Sequence, residues 1–362
     1  MQKVVRFADY DWLIFLSTIL IAIVGIVEIY SVTAQTDLDG HHERQLVWVV
    51  LGLAVMVVIS RVDYHKILEY IPWIYGGTIL TLIGMLLFAA PVQGARRWIR
   101  LAGFNFQVSE MVKLVIIVAL ARYFASVGTK YLNWRDLIKI GALAGLPTIL
   151  VVLQPDLGTA LTFVIIAGAG ILLAGIRFRH VIVLALAAAL LMPVGYSLLK
   201  PYQQERIKTF MQPEQDVLGS GYQINQSKIA IGSGGFWGKG LRKGTQNQLG
   251  FIPSAHTDFI FAAFAEEQGF VGTVFVLLLY LVLIMRLVDG AQSAVDRAGR
   301  FLIMGFVAVL FFQIVISTAM IIGLAPVTGI PLPLMTYGGS AMMFTFIGLG
   351  LAMSVRLRRF VN

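Results

Sequence analysis

The sequence predicts an all-α polytopic integral membrane protein with about ten transmembrane helices, both termini cytoplasmic, and one long extracytoplasmic loop between helices seven and eight. Three observations carry that prediction. Of 362 residues, 58% are hydrophobic and 13% charged, with a mean hydropathy of +0.83, far beyond the range of a soluble globular domain. Apolar runs able to cross a hydrocarbon core of roughly 30 Å recur at 12–31, 45–60, 71–90, 110–127, 137–153, 157–175, 180–199, 259–286, 301–323 and 337–355. Lysine and arginine, in turn, concentrate in alternate loops, as the positive-inside rule requires.

Taken in order, the first run is longer than a signal-peptide core. Val32-Thr33-Ala34 would pass as a cleavage site, but the run reads as a retained helix. The second and fifth runs are short. All stay unbroken for 16 to 28 residues, whereas strands of a membrane barrel alternate over about ten. The spans are therefore helical. With the N-terminus inside, the inner side carries sixteen Lys and Arg residues, and the short outer loops carry only Arg44, Arg96, Arg97 and Arg100. Residues 200–258 form the long outer loop, and 1–362 reads as a single membrane domain. The net charge of +9 is mostly this asymmetry, so membrane lipid, and not nucleic acid, is the partner of these cations. The absence of cysteine excludes disulfides and thiolate metal sites.

Ionisable residues bordering the apolar runs gather toward the outer face. Glu28 ends the first run, Glu110 and Lys113 open the fourth, Asp156 opens the sixth, and Asp258 stands before the eighth, with Glu266 and Glu267 further in. Charges in spanning helices face protein or a wet cavity and pair there, which makes each a candidate site residue. Glu110 and Lys113, spaced i, i+3, share a helix face and can pair. Asp156 in QPDLGT has a capping reading beside a functional one. So does Asp258 in HTDF, which is either the helix cap or a base. Glu266 and Glu267 read as interhelical hydrogen-bonding or supporting groups.

The outer loop ends in YQINQSKIAIGSGGFWGKGLRKGTQNQLGFIPSAHTDF, whose glycines permit close backbone approach and whose Lys228, Lys239, Arg242 and Lys243 could meet an anion. It is not a P-loop, because Gly240 follows Lys239 where Ser or Thr is needed. His41, His42 and Glu43 lack a further spaced metal ligand. Gly141 and Gly145 predict close helix packing inside the protein. The prolines of APVTGIPLPLMTYGGS predict an ordered outer loop in which Tyr337 and Ser340 line the same cavity.

QPDLGT at 154–159, GYQINQSKIAIGSGG at 221–235, HTDFIFAAFAEE at 256–267 and PLPLMTYGGSA at 331–341 resemble the SEDS (shape, elongation, division and sporulation) family, and the loop is similar to its elongation branch. The resemblance runs from the first helix to the tenth. One departure is Ser254 after Pro253, where the family commonly has glutamate. The resemblance implies a bacterial glycosyltransferase (hexosyltransferase) of the inner membrane that polymerises lipid II on its outer face. It also implies a class B penicillin-binding protein partner that supplies the transpeptidase, and other elongation-complex proteins. It places the essential acid on Asp258 and gives weight to Glu110, Lys113 and Asp156.

An α-linked pyrophosphate donor and a β-linked product need one inverting displacement, in which a base takes the proton of the acceptor 4-hydroxyl. The leaving pyrophosphate needs positive charge, for which Arg96, Arg97, Lys113, Lys239 or a divalent cation (Mg or Mn) are candidates. Two rival readings are a lipid II flippase and a non-catalytic scaffold for the penicillin-binding protein. A transporter should carry polar groups to both faces, whereas here they stop in the outer part.

Overall fold

A computed structural model describes residues 10–34, 36, 38–89, 98–101, 104–129, 131–212, 216 and 219–359. Ten long helices cross the bundle: α1 (Trp12–Thr33), α2 (His41–Arg61), α3 (Tyr64–Phe88), α4 (Val108–Ser126), α5 (Trp134–Leu153), α6 (Leu157–Ala174), α7 (Phe178–Leu198), α11 (Ile260–Gln292), α12 (Arg297–Ile321) and α13 (Gly339–Arg358). Each matches one predicted run. Among the described residues, nine are long and apolar enough to span a membrane. The exception, α4, has 19 residues and carries Glu110, Lys113 and Arg122. It tolerates them because it runs through the middle of the bundle, packed on α3, α6, α12 and α13, where its charges meet protein instead of lipid.

The connections hold structure that hydropathy does not reveal. An antiparallel hairpin, β1 (Trp98–Leu101) and β2 (Phe104–Gln107), leads directly into α4. The long loop folds into α8 (Pro201–Met211), α9 (Ser220–Gly234) and the single turn α10 (Thr245–Gln248).

The start of α1 and the end of α13 lie at one end of the bundle, here termed the terminal end. Asp11 caps α1 through Leu13 N–H at 3.1 Å and receives Arg286 at 2.8 Å and Arg356 at 2.9 Å. Three helices that meet only in three dimensions are thereby tied together. In lipid the hydrophobic effect does not drive helices together, so close packing must. Gly52 on α2 makes room for the Phe346 ring, and Gly348 on α13 for the Phe306 ring. Gly141 and Gly145, by contrast, do not pack inside the protein. A Cβ at either would meet nothing within 4 Å, since that side of α5 points away from its neighbours. The expectation of internal packing there is corrected.

α11 is bent at Gly269 (φ 65°, ψ −163°), and the outer loop is spliced into the bend. Lys239 N–H donates to Glu266 O at 3.1 Å and Gly240 N–H to Glu267 O at 2.9 Å, while Phe270 N–H donates to Gly235 O at 3.0 Å and Val271 N–H to Phe236 O at 3.2 Å. Backbone groups released from a helix in a membrane must find protein partners, and the loop supplies all four. The contact is so close that a Cβ on Gly238 would lie 2.2 Å from Glu267 O, and one on Gly269 2.3 Å from Gly238 N. This close approach is what Gly234 and Gly238 serve, since a Cβ on Gly234 would likewise lie 2.2 Å from Ala265 O.

Candidate active site

At the end of the bundle opposite the termini, the segments flanking α11 and α13 converge. Asp258 is half-buried in a turn that precedes α11, whose N-cap is Phe259. The carboxylate thus stands one residue outside the cap position, which corrects the capping reading for this helix. Its Oδ2 lies 3.8 Å from the point where a Cβ on Gly329 would sit, so it faces the α12–α13 connection. Two further contacts bind that connection to the turn: Tyr337 N–H donates to His256 O at 3.1 Å, and the Tyr337 ring lies 6.1 Å from that of His256. His41, on the first turn of α2, completes the aromatic group at 4.5 Å from Tyr337 and 5.8 Å from His256. Burial, and after it the proximity of His41, hold the pKa of His256 below the ordinary histidine value.

The other face of the same connection meets the start of α6. Gly158 packs against Thr328 O, where a Cβ would approach to 2.7 Å. Asp156 is the N-cap of α6, accepting from Thr159 N–H at 3.2 Å and Thr159 Oγ1 at 2.9 Å. Its Oδ2 also accepts from Gln107 Nε2 at 2.7 Å and Ser109 Oγ at 3.3 Å. Gln107 N–H in turn donates to Ser340 Oγ at 2.8 Å. Asp156 and Ser340, 184 positions apart in the chain, are thus joined through one glutamine. Below them Lys113 and Glu110 pair at 2.7 Å, both buried, with the ammonium 4.1 Å from the centroid of the Phe344 ring. Ser340 and Phe344 are one turn apart on α13, so one helix face carries both contacts.

Glu266 and Lys239 belong to the splice instead. Glu266 is fully buried, and its carboxylate accepts from Lys239 Nζ at 2.6 Å, Thr245 Oγ1 at 3.1 Å and Gln246 N–H at 3.1 Å. Glu267 accepts from Ser31 Oγ at 2.7 Å and Arg242 N–H at 3.1 Å. Both glutamates therefore hold the loop. Glu28 is buried on α1 with Oε1 unpartnered. Arg96 and Arg97 lie outside the described residues.

The structure therefore brings Asp258, Tyr337, Asp156 and Ser340 to the α12–α13 connection, with the Glu110–Lys113 pair beneath. It adds His41 and His256, and with them Gln107 and Gly329, which the sequence did not single out. Gln107 and Gly329 carry no motif signal, because their partners are distant in the chain. His41 and His256 were visible only as a candidate metal cluster and as part of HTDF. The arrangement can offer a half-exposed carboxylate to a substrate hydroxyl beside a polar, hydrogen-bonded wall.

Comparison with known proteins adds a family to this geometry. Residues 11–359 match the model of the family described as "Cell cycle protein", which groups FtsW, RodA and SpoVE. The chain is 39% identical over 323 residues to the peptidoglycan glycosyltransferase MrdB of Escherichia coli K12, covering 88% of this chain and 86% of that one. To the peptidoglycan glycosyltransferase RodA of Treponema pallidum it is 32% identical, covering 97% and 98%. Among solved structures, a chain from a peptidoglycan synthase complex that coordinates polymerization and crosslinking superposes with a TM-score of 0.84 at 31% identity, covering 98% and 99%. The rod shape determining protein RodA of Thermus thermophilus gives 0.72 at 28% identity, covering 98% of each chain.

Proposed function

The chain belongs to the SEDS family, close to its RodA members, and is a peptidoglycan glycosyltransferase of the bacterial inner membrane; from this premise we propose that it polymerises lipid II with Asp258 as the general base. The observation that carries the proposal is the position of Asp258. It is half-buried, just outside α11, and directed at the connection whose other face is walled by Asp156.

In the proposed step the acceptor 4-hydroxyl approaches the anomeric carbon of the donor from the side opposite the pyrophosphate. The oxygen–carbon bond forms, its proton passes to the Asp258 carboxylate, and the pyrophosphate departs with the bonding electrons. A base placed within hydrogen-bond reach contributes about 10² to 10⁴ in rate. Gln107, Asp156 and Ser340 form a satisfied network that fixes the wall, and the buried Glu110–Lys113 pair supports α4 and α13 behind it. Lys239 is held by Glu266, so its role is to position the loop. Positive charge for the leaving group falls to Arg96 and Arg97 in this reading. Among the described residues no group of three His, Asp or Glu side chains is placed to cage a metal ion. A divalent cation (Mg or Mn) at the pyrophosphate would be held by substrate oxygens, water and at most one or two carboxylates, and so needs no such cage.

The site faces outward in this reading, because the loops that the sequence assigns to the inner side hold sixteen Lys and Arg against four in the short outer loops. The relative from a peptidoglycan synthase complex supports a class B penicillin-binding protein as the partner, with other elongation-complex proteins around it. A flippase is disfavoured. No charged residue stands at mid-length of any of the ten helices, and the break in α11 is filled by loop backbone instead of lining a path.

Asp258→Asn tests the base. Polymerisation of lipid II by the purified, folded variant should fall about 10² to 10⁴-fold, with thermal stability and co-purification of the penicillin-binding protein retained. A fully active Asn variant would send the search to Glu110 or Asp156. Transbilayer movement of lipid II without glycan product would favour the flippase.

A further inference from the structure

The start of α7, at the terminal end of the bundle, is built against ordinary helix electrostatics. Its N-cap is Arg177, which makes no side-chain cap bond, and its first turn holds no acidic residue. Arg179 and His180 follow at once. The N-terminus of a helix carries about half a positive charge and favours anions, yet here the chain adds two guanidinium groups to it. His180 N–H and Val181 N–H bond back to Arg177 O at 2.9 and 3.3 Å. The amides of Phe178 and Arg179 have no earlier turn to donate to. Neither guanidinium has a hydrogen bond or an ion pair among the described residues.

The same residues line a depression in the surface. An open pocket of about 510 Å³ is lined by Tyr131, Ile176, Arg177, Phe178 and Arg179. Its base is fixed, because Leu132 N–H donates to Gly175 O at 3.0 Å and joins the α4–α5 connection to the α6–α7 connection. Behind it His180, 8% exposed, lies 4.5 Å from the Trp134 ring and leaves Nδ1 without a partner. Toward the bilayer the pocket is bordered by Phe178, 77% exposed, and by α7, in which His180 is the only buried residue among those described. Cationic groups, unbonded amides and an aromatic rim thus meet where headgroups end and acyl chains begin.

We propose that this pocket binds the phosphate headgroup of an anionic phospholipid of the cytoplasmic leaflet, with Arg177 and Arg179 as its ligands and the acyl chains along α7. An anion there offsets both the two guanidinium charges and the helix dipole. A general basic field would attract anionic lipid to the whole face. The pocket instead predicts preference at one place, which fits the basic clefts between helices that hold lipid headgroups. The proposal does not rest on the glycosyltransferase reading.

The test uses the full-length protein, stripped of lipid in neutral detergent and titrated with phosphatidylglycerol or phosphatidylcholine. Native mass spectrometry counts retained lipid, and thermal unfolding follows in vesicles of each composition. Wild type should retain phosphatidylglycerol in preference and melt higher with it. Arg177→Gln/Arg179→Gln should lose about fivefold in apparent affinity per arginine, roughly 25-fold for the pair. The charge-matched control Arg61→Gln/Lys66→Gln, two exposed cations of the same face, should keep the preference. An equal loss in both double variants would assign the effect to the general field and overturn the pocket. Wild type without any preference would overturn it independently of how the variants fold. Competition by millimolar inorganic phosphate, with no effect of acyl chains, would replace the lipid by free phosphate and equally overturn it.

Discussion

Replacing Gly269 by alanine probes the splice between α11 and the outer loop. Alanine at φ 65°, ψ −163°, a region essentially reserved for glycine, costs about 1–3 kcal/mol, and its Cβ would lie 2.3 Å from Gly238 N and 2.7 Å from Trp237 C. Those are backbone atoms, so no side-chain rotation relieves the contact. The helix has one alternative, which is to straighten. Glu266 O would then accept from Phe270 N–H and Glu267 O from Val271 N–H, closing two ordinary helix bonds in place of four splice bonds. Two bonds at about 1 kcal/mol each are lost, and roughly 1 kcal/mol returns through the helix propensity of alanine. Expelling the loop also takes Lys239 and Gln246 N–H from the buried Glu266 carboxylate, where bonds to a charged group are worth about 1.5–3 kcal/mol each. Straightening therefore sums to about 4–7 kcal/mol, and keeping the bend costs the backbone strain plus the clash. The measurements are thermal unfolding in detergent, protease protection of residues 235–250, and lipid II polymerisation, which should fall roughly 10²-fold because the chain leading to Asp258 is displaced. Gly145→Ala is the control, with no atom within 4 Å of the new Cβ and a stability equal to or up to about 1 kcal/mol above wild type. A Gly269→Ala protein that melted, resisted protease and polymerised like wild type would refute the splice.

The remaining expectations concern the loop, the pH response and the topology. Glu266→Gln and Lys239→Met should each cost about 2 kcal/mol, and the double variant less than their sum, by a coupling of roughly 0.5–3 kcal/mol; additive effects on unfolding would show that the pair does not act as one. Because the folded pKa of His256 lies below its unfolded value, its contribution to stability is present above about pH 6.5 and is lost as pH falls through the folded value. His256→Asn should flatten that acid-side slope in unfolding curves, and an unchanged slope would assign it to another group. Reporters fused after Arg61, after Arg179 and near Asn362 should read cytoplasmic and one within 219–250 external; an external C-terminus would reverse the orientation of the site.

Much of the protein follows from its composition and order of residues. Twenty or so apolar residues in succession have one structure in a bilayer, because only a helix satisfies its own backbone there. Hence the ten spans, the two termini at one end and the helical pairing of Glu110 with Lys113 were legible along the chain. Asp258 stood out for the same reason, as a charge bordering apolar sequence. What the sequence left open are the choices that depend on residues far apart. Whether Asp156 caps a helix, reaches Gln107, or does both depends on β2 lying beside α6. Gly141 and Gly145 suggested close helix packing, yet spacing alone does not say which side of α5 meets a neighbour. Nor could the Gly-rich loop be told from an anion-binding loop until its amides were seen to meet the carbonyls of Glu266 and Glu267. Hydropathy and helical periodicity record how a residue relates to lipid and to its own helix. Which partner satisfies a buried polar group is decided by packing between elements, and that information exists only in the tertiary structure.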